Sequence, residues 1–307
     1  RHTASLIHGR RPDIQVDLVT IKTKGDKILD APLALIGGKG LFTKEIEDAL
    51  SDGRVDLAVH SMKDLPTELP PGLKLGAVMR REDPRDVFIS GDGRLPEELE
   101  SGARVGTSSL RRKAFLLNRY PFLEIVPIRG NVETRLRKIE TENLAGVVLA
   151  SAGIKRLGYA DKVTAYMEPD VVLPAIGQGA IGMEIRDNDL VMESLAAELN
   201  DPETAACVRA ERAFLRRMGG GCQVPMAAHA VVADGVLSMT AAVVHPEGRP
   251  ILRDHLSGPI EDPSIGALLA DQLIAAGADA IMKVVQGEDW EPGGADFPAG
   301  EAGCGNL

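Results

Sequence analysis

The feature that most constrains this fold is the alternation of strand and helix signals in the middle of the chain. Apolar runs over residues 103–106, 123–128 and 146–150 are each followed by a helical stretch. This order is typical of parallel sheets with right-handed helical crossovers. In open α/β sheets, ligands bind at the carboxyl ends of the strands. The polar residues that follow strands are therefore the candidate site residues.

The N-terminal part of the chain predicts a second domain of the same class. Strand patterns cover residues 14–23, 55–60 and 74–79, and a helical pattern covers 43–50. Later, residues 171–185 contain two apolar pieces separated by Pro174 and by Gly177-Gln178-Gly179, which predicts a crossing between domains with glycine hinges. We therefore expect one α/β domain from residues 1–80 and 180–200, and another from 85–174.

The remainder of the chain follows a different pattern. A helix over residues 202–218 precedes three antiparallel strands over 227–232, 236–244 and 250–256, joined by short turns rich in Gly, Pro and Asp. One amphipathic helix is predicted over 264–284, and a loose acidic tail follows residue 286. The predicted fold class is thus two α/β domains joined by crossing segments, plus a small α+β domain over residues 201–307.

Charge narrows the possible partners. The formal net charge is −10 and aromatic residues make up 3%, which argues against a nucleic-acid-binding protein. Eleven arginines nevertheless lie between Arg80 and Arg137, interspersed with acidic residues. Arginines spaced in this way are better interpreted as separate ligands for carboxylates or phosphates.

Cysteine and histidine usage indicates neither a disulfide framework nor a metal site. The three cysteines have no C-x-x-C spacing, and the six histidines show no metal-binding spacing. No apolar run approaches the roughly 18 residues of a membrane span, and no signal peptide is evident. We therefore expect a cytoplasmic protein without a metal and without membrane contact.

The segment Val59-His60-Ser61-Met62-Lys63-Asp64 directly follows a predicted buried strand. An aspartate in a partly desolvated cleft can act as a proton donor or acceptor. Lys63 beside it favours the charged carboxylate. The alternative is a surface Lys–Asp pair in a loop.

Two further segments predict anion sites. Thr107-Ser108-Ser109 begins a helix whose first turn contains Arg111 and Arg112, and basic residues there oppose the helix dipole unless an anion binds. Arg129-Gly130-Asn131, with Arg135 one turn later, repeats the arrangement. The alternative is a set of surface salt bridges. Gly37-Gly38-Lys39-Gly40 could bind an anion or form a flexible lid.

Gly219-Gly220-Gly221-Cys222 places a thiol after a flexible loop. Such a cysteine could be a nucleophile or an attachment point, although no paired histidine is evident. The alternative is a buried, inert cysteine; Cys207, within a helix, fits that description.

Taken in order, the motifs resemble the porphobilinogen deaminase family. The resemblance covers about residues 23–225 and continues more weakly beyond; it rests on GGKGLFTKEIE, VHSMKDLPTELP, REDPRDVF, GTSSLRRKA, IRGNVETRL, ASAGIKRLG, LPAIGQGAIG and GGGCQVP. It implies two periplasmic-binding-protein-like α/β domains and a third domain carrying the cofactor. The family normally opens with a strand and a turn that contribute an arginine and a serine. Here residues 1–7 resemble the helix that follows that turn.

The resemblance also implies a chemistry. Cys222 would carry a dipyrromethane primer through a thioether, to which four porphobilinogen units are added with loss of ammonia before hydrolysis releases hydroxymethylbilane. Asp64 would stabilise the electron-poor azafulvene and move protons. Cofactor-binding residues would be Ser61, Lys63, Thr107, Ser108, Ser109, Arg111, Arg112 and Gly130. Substrate-binding residues would be Arg129, Arg135, Arg156, Gln178 and Lys39.

The family further implies a monomer that passes its product to the next pathway enzyme, and a third domain that moves the growing chain past one site. Two other readings stay open from the residues alone. A periplasmic-type binding protein or sensor would share the two-domain architecture, and a cysteine-dependent transferase or hydrolase would use Cys222.

Overall fold

The computed structural model describes residues 1–27, 43–219 and 225–285. Its helices are α1 (His2–Arg10), α2 (Lys24–Lys27), α3 (Lys44–Ser51), α4 (Leu110–Arg119), α5 (Val132–Thr141), α6 (Ser151–Arg156), α7 (Leu190–Leu199), α8 (Pro202–Arg217), α9 (Ile265–Ala275) and α10 (Ala278–Val285), with short 3-10 turns at Pro96–Glu98 and Ala160–Lys162.

The strands form three sheets. They are β1 (Leu57–Ser61), β2 (Leu73–Val78), β3 (Asp86–Ser90), β4 (Arg104–Gly106), β5 (Glu124–Val126), β6 (Gly146–Ala150), β7 (Ala165–Met167), β8 (Ile181–Arg186), β9 (Met226–Ala233), β10 (Val236–Val244) and β11 (Ile251–Pro259). The sheet orders are β1-β8-β2, β5-β4-β6-β3-β7 and β11-β10-β9.

The first sheet contains a strand from a distant part of the chain. β8 lies between β1 and β2 and runs antiparallel to both, with His60 opposite Gly182. Its apolar side packs against α1 and α7, where Ile7, Met183 and Leu195 are buried together. The chain returns to this sheet after completing the second one, so two segments cross between the sheets.

The second sheet is mixed. β5, β4 and β6 are parallel, as the alternating pattern predicts, whereas β3 runs antiparallel to both β6 and β7. The expectation of parallel sheets therefore holds for β5, β4 and β6 and is wrong for β3. The physical reason is the crossing: β3 enters from the first sheet, so it runs against the strands that the local helical crossovers connect.

The third sheet is an antiparallel meander covered by helices. β10 pairs with β9 and β11, and α8 and α9 bury one face of this sheet, with Phe214, Met239 and Leu269 in the core. The predicted fold class, two α/β units with crossing segments and a smaller α+β unit, is confirmed. The residue boundaries of the three domains stay a prediction.

Two sequence-based expectations are corrected here. The single helix expected over 264–284 is two helices, α9 and α10, bent by 78°, because Gly277 adopts a left-handed φ of +98° that ends α9. The strand expected over 14–23 is absent, since none of the described residues pairs with this segment as a strand. Its residues Ile14 and Val16 pack instead against the apolar cluster of the first sheet. An alternating pattern predicts a strand only where a neighbour accepts its backbone hydrogen bonds.

The described helices are of ordinary length and hydropathy. No single one is long and apolar enough to cross a bilayer, and the bent pair α9 and α10 meets the length and composition requirements only when taken together.

The contact between α8 and α9 yields a stability prediction. A Cβ at Gly266 would lie 1.9 Å from the carbonyl oxygen of Ala210, and backbone cannot move aside as a flexible side chain can. We expect Gly266→Ala to destabilise the protein by about 1–3 kcal/mol through overpacking, measured by urea unfolding.

Gly9→Ala is the matched control, since Gly9 lies in α1 with no atom within 4 Å of a new Cβ. It should leave stability unchanged or raise it by about 0.5–1 kcal/mol. Equal stability of the two variants would contradict the close packing of α8 on α9.

Candidate functional site

The loop after β1, here called the Asp64 loop (residues 62–66), lies against the second crossing segment. The backbone N–H of Met62 donates to the carbonyl oxygen of Ala180 at 3.0 Å, and that of Asp64 donates to Ser61 at 3.0 Å. Gly177, with a φ of +71°, lets this segment approach so closely that a Cβ would stand 2.8 Å from that of Met62. Met62 and Leu65 are buried while Asp64 between them is exposed. The carboxylate thus stands on a rigid loop.

A buried carboxylate dominates the opposite side of the site. Asp86, at the start of β3, is fully buried. Its Oδ2 accepts from Arg111 Nη2 at 2.7 Å, and its Oδ1 accepts from Arg112 Nε at 3.0 Å and Nη2 at 2.8 Å. These ion pairs outweigh burial and lower the pKa of Asp86 to about 2. Asp86 therefore holds both arginines in one orientation.

The helix start at residues 107–110 forms as predicted. Ser109 is the N-cap of α4, its hydroxyl accepting from the Arg112 N–H. Ser108 donates its hydroxyl to the carbonyl oxygen of Ile128 at 2.5 Å, which joins the ends of β4 and β5. The first turn of α4 directs Arg111 and Arg112 into the protein interior, where both are buried. The alternative of surface salt bridges is wrong for these two arginines.

The second predicted anion segment folds on the same principle. Asn131 caps α5 by accepting from the Thr134 N–H at 2.8 Å. Gly130 has a φ of +111°, and its carbonyl oxygen accepts from Arg135 Nε at 2.8 Å. Burial lowers the pKa of Arg135, Arg112 and Arg129 lower it further, and Asp64 opposes them. Arg135 is therefore within electrostatic reach of Asp64 on the other domain.

Lys63, which belongs to the Asp64 loop of the first sheet, lies among the same charged side chains. Burial lowers the pKa of its ammonium; Asp64 and Asp86 raise it, and Arg112 and Arg111 lower it. The structure thus brings together a cationic cluster, defined as Lys63, Arg111, Arg112, Arg129 and Arg135, beside the carboxylates of Asp64 and Asp86. Several desolvated cations side by side favour a ligand that carries several carboxylates.

Gln178 links the crossing segment to this cluster. Its Nε2 donates to Asp86 Oδ1 at 2.9 Å and to the carbonyl oxygen of Pro84 at 2.6 Å. Its Oε1 is buried and has no hydrogen-bond partner among the described residues. Gln178 therefore both orients Asp86 and keeps one acceptor for a ligand N–H.

The crossing segments are held by a second buried carboxylate, Glu211 on α8. Its Oε1 accepts from Arg81 Nη1 at 2.8 Å and its Oε2 from Arg81 Nη2 at 2.8 Å, one oxygen to each nitrogen of the guanidinium. The same oxygens accept from the backbone N–H groups of Ala230 at 2.9 Å and Gly177 at 2.7 Å. One side chain thus joins both crossings to the third sheet.

Three expected site residues are not found at the cationic cluster in the described part of the chain. Arg156 ends α6 and is exposed, and no hydrogen bond joins it to the cationic cluster in the described part of the chain. Lys39 and Cys222 lie outside the described residues. Cys207 is buried in α8, and burial raises the pKa of its thiol to about 11, so it is a poor nucleophile.

Sequence reasoning missed Asp86, Glu211 and Arg81. Arg81 and Asp86 both stand within the REDPRDVF motif, but no local spacing shows their partners. Within residues 1–27, 43–219 and 225–285, no three His, Cys, Asp or Glu side chains are arranged to hold a metal ion. The absence of a metal site stays a prediction.

Two family descriptions match this chain. "Porphobilinogen deaminase, dipyromethane cofactor binding domain" matches residues 1–194, and "Porphobilinogen deaminase, C-terminal domain" matches residues 205–275. A protein named porphobilinogen deaminase from Syntrophotalea carbinolica is 56% identical over 88% of this chain and 86% of its own. One of the same name from Trichlorobacter lovleyi is 54% identical over 92% and 91%.

Among solved structures, the chain is similar to the periplasmic aliphatic sulphonate binding protein SsuA from Escherichia coli. That match covers 70% of this chain and 64% of that one, at a TM-score of 0.37 and 14% identity.

The pairing of Asp86 with two arginines predicts a pH-dependent contribution to stability. The folded-state pKa of Asp86 is about 2, against 3.8 for an unperturbed aspartate. A lowered pKa stabilises the fold above the unfolded pKa, by about 2 kcal/mol here, and this contribution is lost as pH falls through the folded pKa. We expect the free energy of unfolding of the wild type to exceed that of Asp86→Asn by a constant margin above about pH 5. This margin should shrink between about pH 4 and pH 2.

Chemical denaturation across this pH range measures that margin. Asp161→Asn, an exposed aspartate in the turn Ala160–Lys162, is the control and should give a small difference at every pH. A margin for Asp86→Asn that does not vary between pH 5 and pH 2 would contradict the ion pairing.

Proposed function

Because this chain belongs to the porphobilinogen deaminase family, we propose that the cationic cluster and Asp64 form its active site. The reaction joins four porphobilinogen molecules head to tail with loss of ammonia on a covalently bound dipyrromethane, and hydrolysis then releases hydroxymethylbilane. The observation that carries the site assignment is the burial of two cations, Lys63 and Arg135, which come from different sheets and both interact electrostatically with the exposed carboxylate of Asp64.

The donor set fits the family's cofactor. Each pyrrole of a dipyrromethane carries an acetate and a propionate, so several carboxylates must be neutralised together. The cationic cluster offers five cations, of which Arg111 and Arg112 share the single charge of Asp86. Each guanidinium has five N–H donors. In Arg111, Nη1 donates to the carbonyl oxygen of Leu173 and Nη2 donates to Asp86. The buried Oε1 of Gln178 is suited to accept from a pyrrole N–H.

The two aspartates would have separate tasks. Asp86 is saturated with donors and held charged, so it orients arginines. Asp64 is exposed beside Lys63 and near Arg135, so its carboxylate can face the substrate. There it would stabilise the positive charge that develops on the pyrrole nitrogen as ammonia leaves and accept and return a proton. When bound, the dipyrromethane would supply the pyrrole carbon to which the first unit is joined, and each later unit would be joined to the one before it.

The remaining assignments complete the proposal. Cys222 attaches the cofactor; Ser61, Thr107, Ser108, Ser109 and the backbone at Gly130 provide hydrogen bonds; Arg129, Arg135, Arg156, Gln178 and Lys39 bind substrate. The chain acts as a cytoplasmic monomer that passes its product to the next enzyme. Its domains comprise residues 1–80 with 180–200, 85–174, and 201–307.

Mass measurement tests the cofactor assignment. We expect the intact mass of the denatured protein to exceed the sequence mass by two linked pyrroles, and Cys222→Ala to lose that excess. Cys207→Ala is the matched control and should keep it, because the Cys207 thiol is buried with a raised pKa. An excess that persists in Cys222→Ala, or disappears in Cys207→Ala, would refute the attachment site.

Replacement of Asp64 tests the catalytic assignment. Asp64→Asn preserves size but removes the charge and the proton carrier, so we expect kcat to fall by roughly 10²- to 10⁴-fold with the cofactor mass retained. Asp56→Asn, on an exposed aspartate paired with Arg186, should keep wild-type turnover in the same assay of porphobilinogen consumption. A fully active Asp64→Asn would show that another group performs this step.

A further inference from the structure

Arg212 lies on α8, one residue after Glu211, and its side chain points at the Asp64 loop. Nη1 donates to the carbonyl oxygen of Leu65 at 2.8 Å, and Nη2 donates to the carbonyl oxygen of Pro66. These two carbonyls belong to the residues that directly follow Asp64. Arg212 is 7% exposed. A guanidinium of the third domain therefore clamps the backbone of a first-domain loop at two adjacent points.

The charge of Arg212 is not explained by an ion pair. Among the described residues, no carboxylate forms a salt bridge or hydrogen bond with it. Burial, and to a smaller extent the neighbouring Arg216, lower the pKa of Arg212 to about 10. A buried cation satisfied only by carbonyl oxygens costs free energy that a neutral apolar side chain at this position would avoid. Stability alone is therefore a poor reason for an arginine here.

The clamped backbone governs the direction of Asp64. Leu65 is buried in a small cluster with Met62, Val78, Ala180 and Val208, and Val208 lies one helical turn before Arg212. The loop is thus fixed before Asp64 by the Met62–Ala180 hydrogen bond and after it by the Arg212 fork. The fork therefore restricts the backbone immediately after Asp64, on the side opposite the Met62 hydrogen bond.

We propose that Arg212 is a positioning residue for the reaction: its two hydrogen bonds to Leu65 and Pro66 hold the Asp64 carboxylate in its working orientation. The inference rests on the catalytic role proposed for Asp64. It also connects the loop to the third domain, because α8 precedes Cys222 by five residues in the sequence and its Glu211 grips both crossing segments. Displacement of α8 would move the clamp and with it Asp64.

The test compares Arg212→Lys with two control variants of α8. Lysine keeps the charge but cannot donate to both carbonyls in the geometry of the planar guanidinium. We expect kcat per cofactor-loaded molecule to fall roughly ten- to a hundredfold. KM for porphobilinogen should stay within threefold of wild type, because four of the five residues of the cationic cluster lie outside the Asp64 loop. Loading is checked by intact mass, and kcat is measured well below each Tm.

Arg209→Lys is the chemical control: Arg209 is exposed on the same helix, and wild-type kinetics are expected. Phe214→Leu is the stability control, since Phe214 is fully buried in the core of the third sheet and its truncation lowers Tm without touching the clamp. If Arg212→Lys keeps kcat within twofold, or loses no more kcat than Phe214→Leu at the same loss of Tm, the positioning role is refuted.

Arg212→Gln, which is neutral and has one donor group, replaces Arg212→Lys under the same criteria if the lysine variant does not fold.

The outcomes separate this inference from the proposed function. Wild-type protein that forms no hydroxymethylbilane would overturn the function, whereas an active wild type with an equally active Arg212 variant would overturn only the clamp.

Discussion

The buried carboxylate of Glu211 is the interaction on which the arrangement of the three units depends. Each of its oxygens accepts two hydrogen bonds, which come from Arg81, Gly177 and Ala230. These partners lie on the first crossing segment, the second crossing segment and the third sheet. A buried ion pair needs further hydrogen bonds to offset the cost of removing its charges from water, and both Glu211 oxygens receive them, whereas the buried Nε of Arg81 has no hydrogen-bond partner among the described residues. Loss of either partner would leave an uncompensated charge at the meeting point of all three units, so this pair defines how they are placed.

Two aspartates in one site illustrate how environment separates function. Asp86 and Asp64 are both near cations, yet Asp86 is sealed from water and saturated with donors while Asp64 is exposed at a loop. The first is therefore suited to organise arginines, and the second to meet a substrate. The surrounding cationic cluster exists in a chain whose net charge is −10. Overall charge thus gives no information about the sign of a buried site, because a few desolvated side chains determine its local potential.

Much of the architecture was predictable from sequence because local patterns encode local structure. The N-caps Ser109 and Asn131 were recognisable from residue type, and the helices α4 and α5 begin at them. The errors have a common cause. The segment 14–23 has the alternation of a strand but no strand neighbour among the described residues, β3 and β8 run against their sheets because they join two domains, and Gly277 divides a continuous helical pattern by a left-handed turn. In each case the observed structure was determined by partners distant in sequence, or by one backbone angle, and not by the local hydrophobic pattern.

The sequence by itself determined the family, the fold class and the positions of the motif residues, because these depend on residue order and on hydrogen bonds between residues three or four apart. The tertiary structure alone decided the partners of the buried charges. Asp86 with Arg111 and Arg112, Glu211 with Arg81, and Arg212 with the Asp64 loop join residues 25 to 147 positions apart. A charge removed from water must be satisfied by whichever donor or acceptor the packing brings beside it, and that neighbour is set by the whole fold and not by the local sequence.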